Sequence, residues 1–251
     1  MNNLPLLVSM FDQSPARQVP MVTAAEMREL DELVAGRFAI SLVQMMENAG
    51  RGLAELVIQD YHPESVAVMV GPGHNGGGGL VAARHLFNRG VHVVVIPVRT
   101  DRLSTTTTSQ LKTLREMGVP LLDLAPPTSV VVDALIGYSL DGEPRGRVAE
   151  LIDWANQQSS PIISLDIPSG LDATTGRKSE HCILADATLT LALPKTGLAI
   201  SPSVVGRLSL ADIAFPRVAY EISGLDVPLM FQASSIVRLF FDGWRLRCWV
   251  I

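Results

Sequence analysis

The sequence predicts an α/β domain built on a mostly parallel β-sheet with helices covering both faces. Three observations predict it. Apolar, β-branched runs recur at Ser65–Val70, Val91–Val98, Val130–Ala134 and Pro161–Ile167, with later ones at Ala187–Leu193 and Arg207–Ala211. Stretches with helical spacing lie between them, near 79–89, 105–117 and 147–158. Strands this uniformly apolar, alternating with helices, belong to a sheet buried on both sides, which is the habit of parallel sheets. The third observation is that glycines and polar groups gather directly after the strands, where open α/β sheets bind ligands.

Residues 1–21 read as a loose arm carrying Pro5, Pro15 and Pro20. Thr23 and Glu26 form a Thr-x-x-Glu capping box that opens a helix with Met27, Leu30 and Val34 on one face. A second helix is expected over Leu42–Asp60, with Met45, Ala49, Leu53 and Leu56 in step. The Ser65–Val70 strand runs into a segment with six glycines in nine residues (Gly71, Gly73 and Gly76 to Gly79). Helical spacing then returns over Leu80–Arg89, with Leu80, Ala83 and Phe87 on one face. Strand, glycine loop and helix start together make an anion cradle: glycine lets a ligand approach the backbone, and unpaired helix N–H groups favour negative charge. A phosphate-bearing ligand is expected there. The run Ser104–Ser109 reads as a helix entry rather than a functional tract.

Composition narrows the class. The chain has 251 residues, 47% apolar and 18% charged, which suits one large globular domain. A formal charge of -5 supplies no basic footprint, so no nucleic-acid partner is expected. Cys182 and Cys248 lack metal or redox spacing and read as free thiols of a reducing compartment. No uncharged apolar stretch reaches membrane-spanning length, and the first twenty residues lack a signal-peptide pattern. A soluble, cytoplasmic protein with no membrane contact is the expectation.

Three loops are expected beyond the carboxyl edge of the sheet. The first is the glycine segment, with Asn75 its amide. The second carries Asp133, followed by Gly137, Tyr138, Ser139, Leu140, Asp141 and Gly142; the third is Asp166-Ile167-Pro168-Ser169-Gly170. An aspartate at a strand end is often only a loop hydrogen-bonder. Two of them facing one glycine segment point to a site. Lys195 follows the next strand; it is either a solvated lysine or the partner of Asp166 in an acid/base couple. His62, His74, His85, His92 and His181 show no ligand spacing, and there is no nucleophile elbow, Walker lysine or zinc pattern. Gly71-x-Gly73-x-x-Gly76 also matches a dinucleotide-binding fingerprint. The acid expected at the end of the second strand is missing, however, since Asp101 comes late, and an ordinary hydride-transferring oxidoreductase is therefore the competitor.

Four segments together resemble the NAD(P)H-hydrate epimerases, the YjeF N-terminal domain family: Thr23–Gly50, Gly71–His85, Val132–Gly142 and Ser164–Asp172. The Lys195 segment, ALPKTGL, fits as well, and the likeness runs from about residue 22 to 216, leaving 217–251 as a C-terminal extension. The resemblance implies a Rossmann-like three-layer α/β/α sandwich with two N-terminal helices, usually a homodimer. It implies interconversion of the R and S forms of hydrated NADH and NADPH, working beside a separate S-specific NAD(P)H-hydrate dehydratase. It assigns Asn75, Asp133 and Ser169 to a potassium ion. Gly76, Gly77, Gly78 and Gly79, Gly137 through Glu143, and Asp166 would contact the hydrated dinucleotide. Oxygen ligands without imidazole or thiolate suit potassium. Asp166 and Lys195 are the candidates for proton transfer.

Two routes satisfy that chemistry. Either the hydroxyl beside the ring nitrogen is protonated and expelled, leaving an iminium that water re-attacks from the other face, or the ring opens and recloses. One departure matters. Where the family loop reads Asn-Asn-Gly-Gly-Asp-Gly, this chain reads His74-Asn75-Gly76-Gly77-Gly78-Gly79, so an acid has become Gly78. The alternative to an epimerase is thus a non-catalytic nucleotide-binding or scaffold module of the same fold.

Overall fold

The computed structural model describes residues 16–243 and 245–248, so the expectation for Pro5 and Pro15 of the arm lies outside the described residues. Among the described residues nine strands form one sheet: β1 (Arg17–Val19), β2 (Ser65–Val70), β3 (His92–Pro97), β4 (Val130–Ala134), β5 (Ile162–Leu165), β6 (Ala187–Leu191), β7 (Arg207–Ala211), β8 (Ile236–Asp242) and β9 (Arg245–Cys248). Their order is β1-β9-β8-β7-β6-β5-β4-β2-β3. From β3 to β7 all neighbours are parallel, and β8, β9 and β1 join antiparallel. The chain steps from β2 to β3 on one side, then returns to place β4 on the other side of β2. That reversal leaves a crevice beyond the carboxyl ends of β2 and β4, the usual ligand position of an open α/β sheet.

The helices are α1 (Ala24–Arg37), α2 (Leu42–Tyr61), α3 (His74–Asn88), α4 (Thr105–Glu116), α5 (Arg147–Asn156), α6 (Thr196–Ile200), α7 (Pro202–Val205) and α8 (Arg217–Ile222). Strand alternation distributes them. Val66, Val68 and Val70 of β2 pack with Leu53 and Leu56 of α2 and Leu80 and Ala83 of α3, while Ala67 and Met69 face Leu151 and Ile152 of α5. A third core joins α1, α6 and α8 to β7, β8 and β9. The expected α/β/α layering is therefore present, and the capping boxes form: Thr23 caps α1 and Ser41 caps α2. Ser104 likewise caps α4, as a helix entry should.

Four expectations are corrected. The glycine segment is not a loop up to Gly79: α3 starts at His74 and runs straight through it. A Cβ on Gly76 would lie 1.9 Å from the Gly71 carbonyl oxygen, and one on Gly79 would lie 2.5 Å from Ala134 Cβ. These glycines let α3 press onto β2 and β4, which periodicity of side chains cannot reveal. Along α3, Leu86 is buried and Phe87 is exposed, because the helix begins earlier and its buried stripe follows Leu80, Ala83 and Leu86. The arm of residues 1–21 ends in a strand, since β1 pairs with β9. Residues 217–251 are no mere appendage: α8 and the β8–β9 hairpin complete the sheet and bury Leu239 and Leu246.

Candidate active site

The site begins with two strained turns. β5 stops at Leu165 because Asp166 takes φ 69°, and Ile167 N–H donates back to the Leu165 carbonyl at 2.9 Å. β6 stops the same way: Ala192 has φ 59°, and Leu193 N–H donates to the Leu191 carbonyl at 2.7 Å. Turns closed over two residues with a positive central φ are rare outside glycine and cost on the order of 1–3 kcal/mol each. Such strain persists where the surroundings hold it, and here it sets two neighbouring strand ends against one another.

Lys195 is what they hold. Its Nζ donates to Asp166 Oδ1 at 2.5 Å and to the Leu191 carbonyl at 2.9 Å. The lysine is 1% exposed and the aspartate 3%, so the solvated reading of Lys195 is excluded. The entry to α1 straps this loop down: Val22 N–H donates to the Pro194 carbonyl at 3.0 Å, and Thr196 N–H to the Val22 carbonyl at 2.9 Å. The second oxygen of Asp166, Oδ2, accepts the Tyr138 N–H at 3.0 Å. The Tyr138 ring lies 5.7 Å from Lys195 Nζ, near enough for a cation–π contact.

Tyr138 extends the network to a residue the sequence reading missed. Its hydroxyl donates to Asp31 Oδ2 of α1 at 2.5 Å. Burial pushes the Asp31 carboxyl above its ordinary range, with the Tyr138 hydrogen bond and the Lys195 charge pulling the other way. Burial, then the Asp31 charge, pushes the Tyr138 phenol up. A signal for Asp31 existed: it stands four residues after Met27 and three before Val34, an acid inside the apolar stripe of α1.

These groups open onto one cavity of about 450 Å³. Met27, Met45, Met46, Leu165 and Ile213 supply apolar walls, and Asp31, Asn75, Tyr138, Asp166 and Lys195 the polar points. A mostly apolar cavity with a few convergent polar groups is what a small-molecule site requires. Of the sequence-derived contact residues, Asn75, Gly78, Gly137, Tyr138, Ser139 and Asp166 line it. Gly76, Gly77 and Gly79 are instead buried in packing, and Leu140, Asp141, Gly142 and Glu143 lie away from the lining. Glu143 takes Arg177 Nη1 at 2.6 Å and the Glu180 N–H at 3.2 Å. A Cβ on Gly78 would meet only Leu165 Cδ2, at 2.8 Å.

Asp133 and Ser169 are both fully buried and do not line the cavity. Asp133 Oδ1 accepts the Ser169 hydroxyl at 2.6 Å and the Leu135 N–H at 3.2 Å; Oδ2 accepts the Ser164 hydroxyl at 2.8 Å and the Ser169 N–H at 2.9 Å. Burial still raises the carboxyl above its usual range, against those hydrogen bonds. Asn75 lies against Gly137, and its buried amide nitrogen has no partner among the described residues. Turning the amide over places an oxygen at that unpaired position. Thr107 of α4, also unanticipated, donates to the Gly73 carbonyl at 2.8 Å and so tethers the start of α3. Among the described residues no group of three or more His, Cys, Asp or Glu side chains converges on a metal position.

The chain has known relatives. The family model for the YjeF-related protein N-terminus matches residues 42–197. An NAD(P)H-hydrate epimerase of Dehalogenimonas lykanthroporepellens is 43% identical over 238 residues, spanning 91% of this chain and 96% of that one. A bifunctional NAD(P)H-hydrate repair enzyme of Moorella thermoacetica is 37% identical over 78% of this chain and 41% of its own length. In three dimensions a yeast protein of known crystal structure superposes with a TM-score of 0.78 at 25% identity, covering 88% of this chain and all of that one.

Proposed function

This chain belongs to the YjeF-related N-terminal family, and on that premise we propose how its cavity carries out the family's reaction. The protein is an isomerase, an NAD(P)H-hydrate epimerase that interconverts the R and S forms of hydrated NADH and NADPH in nicotinamide nucleotide repair. The observation that carries the site assignment is the buried Lys195–Asp166 pair at 2.5 Å, open to a largely apolar cavity at the switch point of the sheet.

The damaged cofactor bears a hydroxyl on the carbon beside the ring nitrogen. In our reading Lys195 gives a proton to that hydroxyl, which leaves as water and generates a cationic iminium. Asp166, fixed by Lys195 and by the Tyr138 N–H, supplies negative charge beside the cation. Water returning from the other face completes the inversion. The apolar walls keep bulk water from diluting these charges. Asn75, Gly78, Gly137, Tyr138 and Ser139, which line the cavity, are the substrate contacts this reading retains.

We further propose that Asn75, Asp133 and Ser169 hold a potassium ion. The donors are oxygens without imidazole or thiolate, and Asn75 presents a buried, unpaired amide position. Two of the four hydrogen bonds on Asp133 come from serine hydroxyls, which rotate away readily and yield to a cation. When bound, the ion would supply a fixed positive charge to these donors. A homodimer, a cytoplasmic location and coupling to an NAD(P)H-hydrate dehydratase complete the proposal. Free, buried Cys182 and Cys248 suit a reducing compartment, and relatives named as bifunctional repair enzymes support the coupling.

The decisive experiment follows R-NADPH hydrate by chromatography, with and without potassium, using the natural chain and Gly78→Asp. Conversion to the S form by the natural chain, faster with potassium than with choline at equal ionic strength, is expected. No conversion until Gly78→Asp is introduced would instead identify a site silenced at Gly78.

A further inference from the structure

We propose that Asp31 is a second acid/base residue of this reaction, acting on the face of the nicotinamide ring opposite Asp166 and Lys195; this rests on the epimerase reading above. Inversion at one carbon requires the hydroxyl to leave one face and water to arrive at the other. A single buried pair serves one face only, unless the ring turns over inside the cavity. The same cavity presents a second carboxylate, and one side chain separates the two. Tyr138 holds Asp166 Oδ2 by its N–H at one end and Asp31 Oδ2 by its hydroxyl at the other, both tightly. The two carboxylates therefore contact opposite ends of the same tyrosine. Asp31 Oδ1 has no hydrogen-bond partner among the described residues and is the oxygen left to meet a water.

The surroundings suit a base. Tyr138, Lys195, Asp166 and His74 act electrostatically on Asp31, and Arg28 and Glu32 line the cavity from its own helix. Burial outweighs the attractive groups and lifts the carboxyl towards working pH, where a general base is most effective.

The proton balance closes. The C–O bond breaks with its electron pair on oxygen, which takes a proton from Lys195 and departs as water, while the ring-nitrogen lone pair forms the C=N bond. A second water attacks that carbon from the opposite face and gives its surplus proton to Asp31. One proton is taken and one returned, nothing is oxidised, and exchange with solvent resets Lys195 and Asp31.

The test measures inversion and oxygen exchange together, in ¹⁸O-labelled water, for the natural chain, Asp31→Asn and Tyr138→Phe. Asp31→Asn should lose inversion roughly 10²-fold while label still enters the unreacted epimer through the intact Lys195–Asp166 face. Inversion unchanged, or inversion and exchange falling together, overturns the proposal. Tyr138→Phe keeps the N–H to Asp166 and the ring beside Lys195, and removes only a hydrogen bond that lowers Asp31. Its acid limb of inversion against pH should therefore move to higher pH, and an unmoved limb overturns the proposal. Thermal unfolding of each variant separates a folding failure from lost chemistry. A natural chain inert on both epimers overturns the epimerase reading itself, a distinct result.

Discussion

Asp166 is bound on both oxygens, by the Lys195 ammonium and by the Tyr138 N–H, at a backbone angle that ordinary residues avoid. Chemistry and stability are therefore linked at this one position. Asp166→Asn keeps the shape, removes the charge and leaves the Lys195 ammonium buried without a counter-charge. Inversion should fall about 10²–10⁴-fold in the chromatographic assay. Urea unfolding should show a loss of about 3–5 kcal/mol, the usual consequence of breaking a buried ion pair from one side. Asp31 predicts a pH effect whose sign follows from its raised pKa. Such an acid favours the folded state below its unfolded value and loses that contribution as pH climbs through the raised one. Asp31→Asn should thus melt higher than the natural chain at about pH 8, with the difference vanishing below about pH 4. A gain that instead grew towards acid would contradict the raised pKa.

Helix α3 shows why an element's glycines need not be ligand contacts. Its first turns press so closely on β2, β4 and α2 that side chains are excluded at graded severity. A methyl on Gly76 meets backbone at 1.9 Å; one on Gly79 meets Ala134 Cβ at 2.5 Å; one on Gly78 meets a Leu165 methyl at 2.8 Å. Backbone cannot yield, Ala134 yields only with its strand, and the leucine methyl turns aside. Gly76→Ala should therefore fail to fold or lose well over the roughly 1–3 kcal/mol typical of overpacking, with Gly79→Ala inside that range. Gly78→Asp should cost least of the three and bring its carboxylate to the cavity wall. Denaturant midpoints of the three purified variants give the ranking, and an equal loss at all three would refute the packing explanation.

At the scale of the whole molecule, the β8–β9 hairpin extends the sheet and pairs with β1, the first described strand. β8 covers the edge of β7, β9 covers β8, and β1 covers β9. Deleting residues 224–251 bares β7, unpairs β1 and exposes the apolar surface that Leu239 and Leu246 cover. An uncovered apolar strand edge recruits other chains. The shortened chain should therefore be insoluble or aggregate well below the melting temperature of the natural one, as light scattering during heating would report. A monomeric, active truncation would show that the parallel portion stands alone. No helix among the described residues is long and apolar enough to cross a membrane.

The strands from Ser65 to Ala211, the presence of α3, α4 and α5 between them, and Asp133, Asp166, Ser169 and Lys195 as residues following or ending strands were legible in the sequence; the short α6 and α7 were not. Strand identity depends on local apolar runs, and a parallel sheet sends every such strand end to one edge. The site's closure was not legible, because it depends on distances between segments far apart in the chain. Only the tertiary structure brought Asp31 of α1 onto Tyr138, and only it buried Lys195 against Asp166 through two strained turns. It also decided that Gly76 to Gly79 belong inside a helix. What a glycine lacks is informative only once the atom that would occupy the same space is known. The sequence by itself determined the parallel part of the sheet, its carboxyl edge and the family. Packing decided which of the residues at that edge meet in one hydrogen-bonded network, because burial and charge are properties of the assembled neighbourhood.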